Sequence, residues 1–295
     1  MRYLRYVAVG DSQTEGLNDG DESAGYRGWA DRFAEMLAVH HPGLRYANLA
    51  VRGHRARHVR SMQLDPALAM KPDLVSVMVG MNDLVRPGFD VDAVMADLDA
   101  VYAAFAGAGA TILTFTYPDV TRISAMTRHL RPKLLEFNQR IRESARRLGV
   151  IVVDTESYEI GVDPRLWCRD RVHATPLGHS LIAAGAAHAL GLPGADESWA
   201  APLPPLKRPN RLARYHAEVV WVVTFLGPWL IRRLTGRSSG NGRLAKRPSL
   251  TDVVSGTPQL QEAGPETEWP RPGAQHAVPA RPTGSEPGST ARVPS

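Results

Sequence analysis

A serine stands twelve residues into this 295-residue chain, where an apolar run ends in Gly10-Asp11-Ser12 and continues as Gln13-Thr14-Glu15-Gly16. Residues 3–9 read as a strand. The Ser12 hydroxyl therefore sits on a tight turn at a carboxyl-terminal strand end, where open α/β sheets build active sites. A lone Gly-Asp-Ser is a weak signal. Three further elements follow it in order: Asn48-Leu49-Ala50-Val51-Arg52-Gly53, then Val79-Gly80-Met81-Asn82-Asp83, then Asp170-Arg171-Val172-His173. A serine hydroxyl is a poor nucleophile at neutral pH. It needs a base within hydrogen-bond reach, and the base needs an orienting group. Asp170, three residues before His173 in a loop ahead of a helix, can reach one ring nitrogen while the other faces Ser12. Acyl transfer also needs donors aimed at the developing oxyanion. The candidates are the N–H of Ser12, the N–H of Gly53, where a missing side chain lets backbone approach a substrate, and the side-chain amide of Asn82. Each of these is an ordinary turn residue in isolation. Their shared place at strand ends beside Ser12 makes them a set.

Neighbouring residues take lesser parts. Asp11 is expected to hold the nucleophile turn through its carboxylate, and Asp83 to brace the Asn82 loop. Asp119 and Arg52 are candidates to line the cleft. His179 and His188 rival His173 weakly, because both fall inside the helix that begins at Pro176. Trp167 reads as core packing and Cys168 as buried filler. The chain has one cysteine, so an intrachain disulfide or cysteine-rich metal site is excluded. His-Glu-x-x-His, Asp-rich metal runs and the Walker and dinucleotide glycine patterns do not occur, so neither a metal nor a cofactor is expected.

The elements that must position these residues alternate. Apolar, mostly β-branched runs at 6–9, 46–49, 74–79, 111–116 and 150–153 read as buried parallel strands. Between them lie helical periods. Trp29, Phe33, Met36 and Leu37 fall at i, i+4, i+7 and i+8, and 91–106 and 134–148 read similarly, the latter stopped by Gly149. A last helix starts at Thr175-Pro176, a cap followed by proline at the first position, and runs to Leu190. Five strands alternating with helices predict a three-layer α/β/α sandwich over residues 1–194.

Charge is unevenly distributed. Residues 1–200 carry 22 Lys/Arg and 24 Asp/Glu, residues 201–250 ten against one, and residues 251–295 three against five. The pI of about 9.5 thus belongs to one stretch and does not identify a nucleic-acid-binding protein. Residues 195–247 are read as a basic connector and a Trp-rich helix over 216–234, which Pro228 should kink or break. It is too short and interrupted for a membrane span, which needs ~20 apolar residues. Two readings compete for it: a helix docked on the α/β body, or one lying on an anionic membrane surface or partner through residues 208–237. Residues 248–295, with eight prolines and five glycines from 249 onward, are expected to be a disordered tail. The single cysteine and the lack of an apolar leader before Ser12 predict a cytoplasmic protein.

Taken together, Ser12 in Gly-Asp-Ser, Gly53 in Asn-x-x-x-x-Gly, Asn82 in Gly-Met-Asn-Asp and His173 in Asp-x-x-His resemble, in order and spacing, the four blocks of the SGNH (GDSL-type) hydrolase family. The resemblance covers about residues 3–192. It implies a flavodoxin-like sandwich with a five-stranded parallel sheet. It implies Ser12 as nucleophile, His173 as general base and acid, Asp170 as third triad member, and Ser12, Gly53 and Asn82 as oxyanion donors. Gln13 departs from the family pattern, standing where its name has leucine. The Trp-rich extension resembles those of actinobacterial members. The expected activity is hydrolysis of a small-molecule carboxylic ester, an acyl ester of an alcohol, sugar or lysolipid, through an acyl-enzyme that water resolves. The alternatives are an acyltransferase or thioesterase with the same triad, and a non-catalytic membrane-associated module.

Overall fold

The computed structural model describes residues 2–23, 25–123, 125–206, 210–228, 240 and 242–253, all within one unit, Met1–Gln261. Its main sheet is built from β1 (Arg5–Gly10), β2 (Arg45–Asn48), β3 (Leu74–Met78), β4 (Thr111–Phe115), β5 (Ile151–Val153) and β6 (Arg247–Asp252), in the spatial order β5-β4-β3-β1-β2-β6. Strands β1 to β5 pair in parallel. β3 is buried along its whole length and β1 along all but Arg5, which is why both read as unbroken apolar runs. Helices α1 (Gly28–His40), α2 (Val91–Gly107), α3 (Arg131–Leu148) and α4 (Pro176–Leu190) cover the faces. Thr175 caps α4 and Gly149 ends α3 in the left-handed region, as read from the sequence, and Asp90 caps α2 and Gly191 ends α4 in the same ways.

The sheet departs from the five-strand expectation by one strand. Arg247-Pro-Ser-Leu-Thr-Asp252 pairs antiparallel with β2, Arg45 opposite Asp252 and Asn48 opposite Arg247. Residues 248–252 were assigned to the tail on their proline and polarity, but an outer strand tolerates both. Pro248 lacks a donor that an edge need not supply, and β2 would otherwise be an open edge. Lys246 anchors the strand, donating to the carbonyls of Tyr26 (2.8 Å) and Arg27 (2.7 Å) and pairing with Asp31. Residues 254–295, the rest of the predicted tail, lie outside the described residues.

The basic segment forms α5 (Arg211–Trp221), five residues earlier than the sequence suggested, because Asn210 accepts from the Ala213 N–H at 2.8 Å as its cap. The helix widens to a π-turn over Val222–Leu226, just ahead of Pro228, whose missing N–H removes the next bond. The predicted continuation to Leu234 lies outside the described residues. Among the described residues no helix is long and apolar enough to cross a membrane.

The sheet order puts β1 between β2 and β3, the point where the winding reverses. Ligands bind in the crevice at the carboxyl ends of the strands at such a point. Ser12 follows β1, Gly53 follows β2 and Asn82 follows β3, so the three oxyanion candidates emerge from three adjacent strands. Gly80 makes the turn to Asn82 possible: its φ is +133°, and a Cβ there would lie 2.4 Å from the Phe137 ring. Gly80→Ala should therefore destabilise the protein by about 2–4 kcal/mol through strain and overpacking. Denaturant unfolding beside the wild type checks this; an unchanged midpoint would show that the turn does not need glycine.

Candidate active site

The local fold around Ser12 is built from polar contacts at the end of β1. Gly10 is held on both backbone groups by the Gln63 side chain, its N–H donating to Oε1 and its carbonyl accepting from Nε2, each at 2.8 Å. Asp11 caps the short helix Ser12–Glu15 by accepting from the Gln13 N–H. Ser12 is thus the first helical residue, and its N–H is one of the donors a helix start leaves unbonded. Asn48 at the end of β2 ties the same turn down, donating to the Thr14 carbonyl at 2.7 Å.

His173 arrives from the opposite edge of the sheet. Its Nε2 lies 2.9 Å from Ser12 Oγ and its Nδ1 lies 2.7 Å from Asp170 Oδ2. An ionised carboxylate only accepts, so Nδ1 carries the proton and Nε2 is left to accept from the serine hydroxyl. Asp170 Oδ1 also accepts from the N–H groups of Val172 and His173, both at 3.0 Å. Burial pushes the Asp170 carboxyl up, but the His173 hydrogen bond and charge and these two N–H groups outweigh it and leave it below the usual range. Asp170 is therefore charged at neutral pH, as a group that stabilises an imidazolium must be.

The loop that carries this pair is a tight hairpin. Cys168 N–H donates to the His173 carbonyl at 2.9 Å, and Trp167 bridges Ala174. Gln13 clamps its far side. The Gln13 amide donates to the Val172 carbonyl at 2.9 Å and accepts from the Ala174 N–H at 3.2 Å, bracketing His173 on both sides. Gln13, the residue that departs from the resembled pattern, thus holds the His173 loop against the Ser12 turn. Its position next to Ser12 was visible in the sequence; its partner 161 residues away was not.

Gly53 has φ +77°, and its N–H makes no hydrogen bond among the described residues. The loop before it is fixed by a buried ion pair. Arg52 places its backbone N–H (2.7 Å) and its guanidinium on Glu15, and stacks over Tyr26. Arg52 is 7% exposed, its guanidinium is held by Glu15 and Glu22, and it braces the Gly53 turn. Sequence reasoning passed over Glu15 and Gln63, whose partners lie 37 and 53 residues away.

Asn82 is not idle. Its amide donates to Asp11 Oδ2 at 3.1 Å and to the His54 carbonyl at 3.0 Å. Both N–H groups are engaged, so oxyanion donation requires one of these bonds to be exchanged. Burial pushes the Asp11 carboxyl up to about 7, against the pull of Gln13, His173 and Asn82. Asp83 accepts from the Ala56 N–H at 3.1 Å, joining the Asn82 turn to the loop after Gly53; burial raises it to about 6.

The remaining candidates take other partners than the Ser12–His173–Asp170 line. His179 is fully buried between the Trp29 N–H (3.2 Å) and the Leu17 carbonyl (3.1 Å); burial keeps it neutral, with its pKa well below the ordinary value. His188 lines a separate small cavity with Tyr158 and Trp199. Asp119 is held by Thr121 and Arg131. Trp167 donates to the Gly161 carbonyl at 2.9 Å. Cys168 is half-buried, not fully buried as expected, with burial pushing its thiol up to about 11. Among the described residues no His, Cys, Asp and Glu cluster is arranged to hold a metal ion.

Residues 8–181 match the family model described as the GDSL-like Lipase/Acylhydrolase family. An acetylxylan esterase of Geobacillus stearothermophilus is 24% identical over 199 residues, covering 61% of this chain and 90% of its own. The solved structure of an acetylxylan esterase from the same organism superposes with a TM-score of 0.55 at 20% identity, over 68% of this chain and 97% of that one. Structures of that esterase include forms described as catalytic mutants, with a serine, an aspartate or a histidine replaced. An alpha/beta hydrolase enzyme from the metagenome of Lake Arreo, Spain, gives a TM-score of 0.54 at 23% identity, over 64% and 95% of the two chains.

The Gln13 clamp is open to direct test. Gln13→Leu removes both contacts to the His173 loop while keeping the side-chain size. The expected result is a fall in kcat of about tenfold to 100-fold, the scale of a small misplacement of a reacting group, with KM little changed. Steady-state kinetics on a p-nitrophenyl ester reads it, and unchanged kcat would remove Gln13 from the account.

Proposed function

The chain belongs to the GDSL-like lipase/acylhydrolase family and is a carboxylic ester hydrolase, and from that premise we propose a serine mechanism run by Ser12, His173 and Asp170. The observation that carries it is the continuous line of contacts, Ser12 Oγ to His173 Nε2 at 2.9 Å and His173 Nδ1 to Asp170 at 2.7 Å. Ser12 Oγ attacks the ester carbonyl as its proton passes to His173 Nε2, and Asp170 stabilises the imidazolium. The oxyanion of the tetrahedral intermediate takes the N–H groups of Ser12 and Gly53, and an Asn82 N–H that leaves the His54 carbonyl. Collapse expels the alcohol, which receives the proton from His173, and leaves the acyl group on Ser12. His173 then deprotonates a water molecule that attacks the acyl-enzyme. Breakdown releases the carboxylic acid and returns the proton to Ser12.

Small-molecule acyl esters are the substrate class, and acetylated sugars are the first members to try, since the similar sequence and the similar solved structure from Geobacillus stearothermophilus are both named acetylxylan esterase. Turnover of p-nitrophenyl esters from acetate to palmitate, with wild type, Ser12→Ala and Asn82→Ala side by side, tests both halves of the reading. Ser12→Ala should lower kcat by about 10⁴-fold or more. Asn82→Ala should cost about 100- to 1,000-fold, as loss of one oxyanion donor does. Full activity in Ser12→Ala would refute the mechanism.

The outward face of α5 favours a second property, contact with an anionic lipid surface. Leu212, Tyr215 and Val223 are 76%, 69% and 67% exposed, and Val219 and Val220 lie beside them. The stripe sits in the one stretch where cations outnumber acids ten to one, the pairing that binds an interfacial helix to anionic headgroups. The full chain should sediment with phosphatidylserine-containing vesicles, less so as salt rises, and Val219→Asp/Val223→Asp should abolish this. Equal sedimentation of the two proteins, or none by the wild type, would refute lipid contact.

A further inference from the structure

The inward face of α5 meets the triad loop. Trp221 is 6% exposed, and its indole Nε1–H donates to the backbone carbonyl of Asp170 at 2.9 Å. The next residue, Arg171, lies over the Trp221 ring, 5.0 Å from its centroid, and pairs with Glu218 at 2.6 Å. Glu218 and Trp221 stand three residues apart and so share one face of the helix. Arg171 has φ +58°, a left-handed conformation that a non-glycine residue rarely adopts and holds only when its surroundings impose it. The loop's own bonds, Arg171 N–H to the Cys168 carbonyl and Cys168 N–H to the His173 carbonyl, close the turn. They do not reach the Asp170 carbonyl or the Arg171 side chain. Those two groups are held from outside, by a helix that lies beyond residues 8–181, the span of the family match.

We propose that α5 is a positioning element for the active site: Trp221 and Glu218 hold the Asp170-Arg171 turn and thereby keep the Asp170 carboxylate aimed at His173. The assignment rests on the reading of Ser12, His173 and Asp170 as a catalytic triad. It makes Trp221 and Glu218 positioning residues that act through the loop and touch no substrate. It also gives the two faces of α5 separate tasks, one turned to the catalytic loop and the other to solvent.

The full chain is tested as wild type, Trp221→Phe, Trp221→Ala and Glu218→Gln, with Ser12→Ala as the control for the triad. Trp221→Phe keeps a ring for Arg171 to stack on and loses only the N–H donor, so it serves if Trp221→Ala fails to fold. Two readouts are taken: kcat and KM on the best p-nitrophenyl ester, and hydrogen–deuterium exchange of the peptide spanning residues 168–174. The expected result is a kcat lower by about threefold to tenfold in Trp221→Phe and Glu218→Gln, and by about tenfold to 100-fold in Trp221→Ala. KM should change little in all three, and the thermal midpoint little in Trp221→Phe and Glu218→Gln. Exchange in 168–174 should quicken in the same order, with the sheet strands unaffected. Unchanged exchange in that peptide overturns the proposal, and so does faster exchange without a fall in kcat. Full activity in Ser12→Ala would instead overturn the triad reading, a failure visible separately from that of the clamp.

Discussion

One hydrogen bond, from the Ser12 hydroxyl to His173 Nε2, joins residues 161 positions apart and two regions that leave the sheet at different strands. Ser12 stands at the end of β1, while the loop bearing His173 departs from β5, three strands away, a lateral distance of ~14 Å at ordinary strand spacing. The twenty-two residues from 154 to 175 must cross back over the strand ends to close that gap. They do so through two short 3₁₀ turns, Glu159–Val162 and Pro164–Leu166, and a hairpin pinned at Trp167 and Ala174. The contacts from Gln13 on one side and Trp221 on the other hold that hairpin at its bonding distance from the serine.

The polar groups beneath the site explain why the strand ends can meet so closely. Gln63 takes both backbone groups of Gly10, Asp83 takes the Ala56 N–H, and Glu15 takes the Arg52 N–H and guanidinium. Each replaces a partner that the sheet no longer supplies once its strands have ended, as buried backbone requires. The arrangement concentrates carboxyl groups under Ser12, and burial raises both Asp11 and Asp83. Asp11 in turn holds the Asn82 amide.

The described residues 240 and 242–253 are integral to this body. β6 closes the edge beside β2, with Lys246 gripping the carbonyls of Tyr26 and Arg27, and Arg243 pairing with Glu22, which also meets Arg52. Gly240 lies so close that a Cβ there would come within 2.1 Å of the Arg52 carbonyl. Both flanks of the active site, the Gly53 turn and the Asp170 loop, are therefore touched by residues that follow the family-matched span.

The sequence by itself determined the alternation of strands and helices, the helix ends at Thr175 and Gly149, and the candidate quartet Ser12, Gly53, Asn82 and His173 with Asp170. All of these are local: a strand is read from its apolar run, a cap from its neighbours, and a catalytic block from residue types at short spacing. Tertiary structure alone decided which distant partners complete each block. Nothing near Gln13 announces that it brackets His173, and nothing near Trp221 announces the Asp170 carbonyl, because those bonds exist only after the sheet order is set. The same reason explains the misread of residues 248–252. Their polarity and proline describe a tail when the segment stands alone, and an edge strand once β2 lies beside them with its hydrogen-bonding groups unfilled.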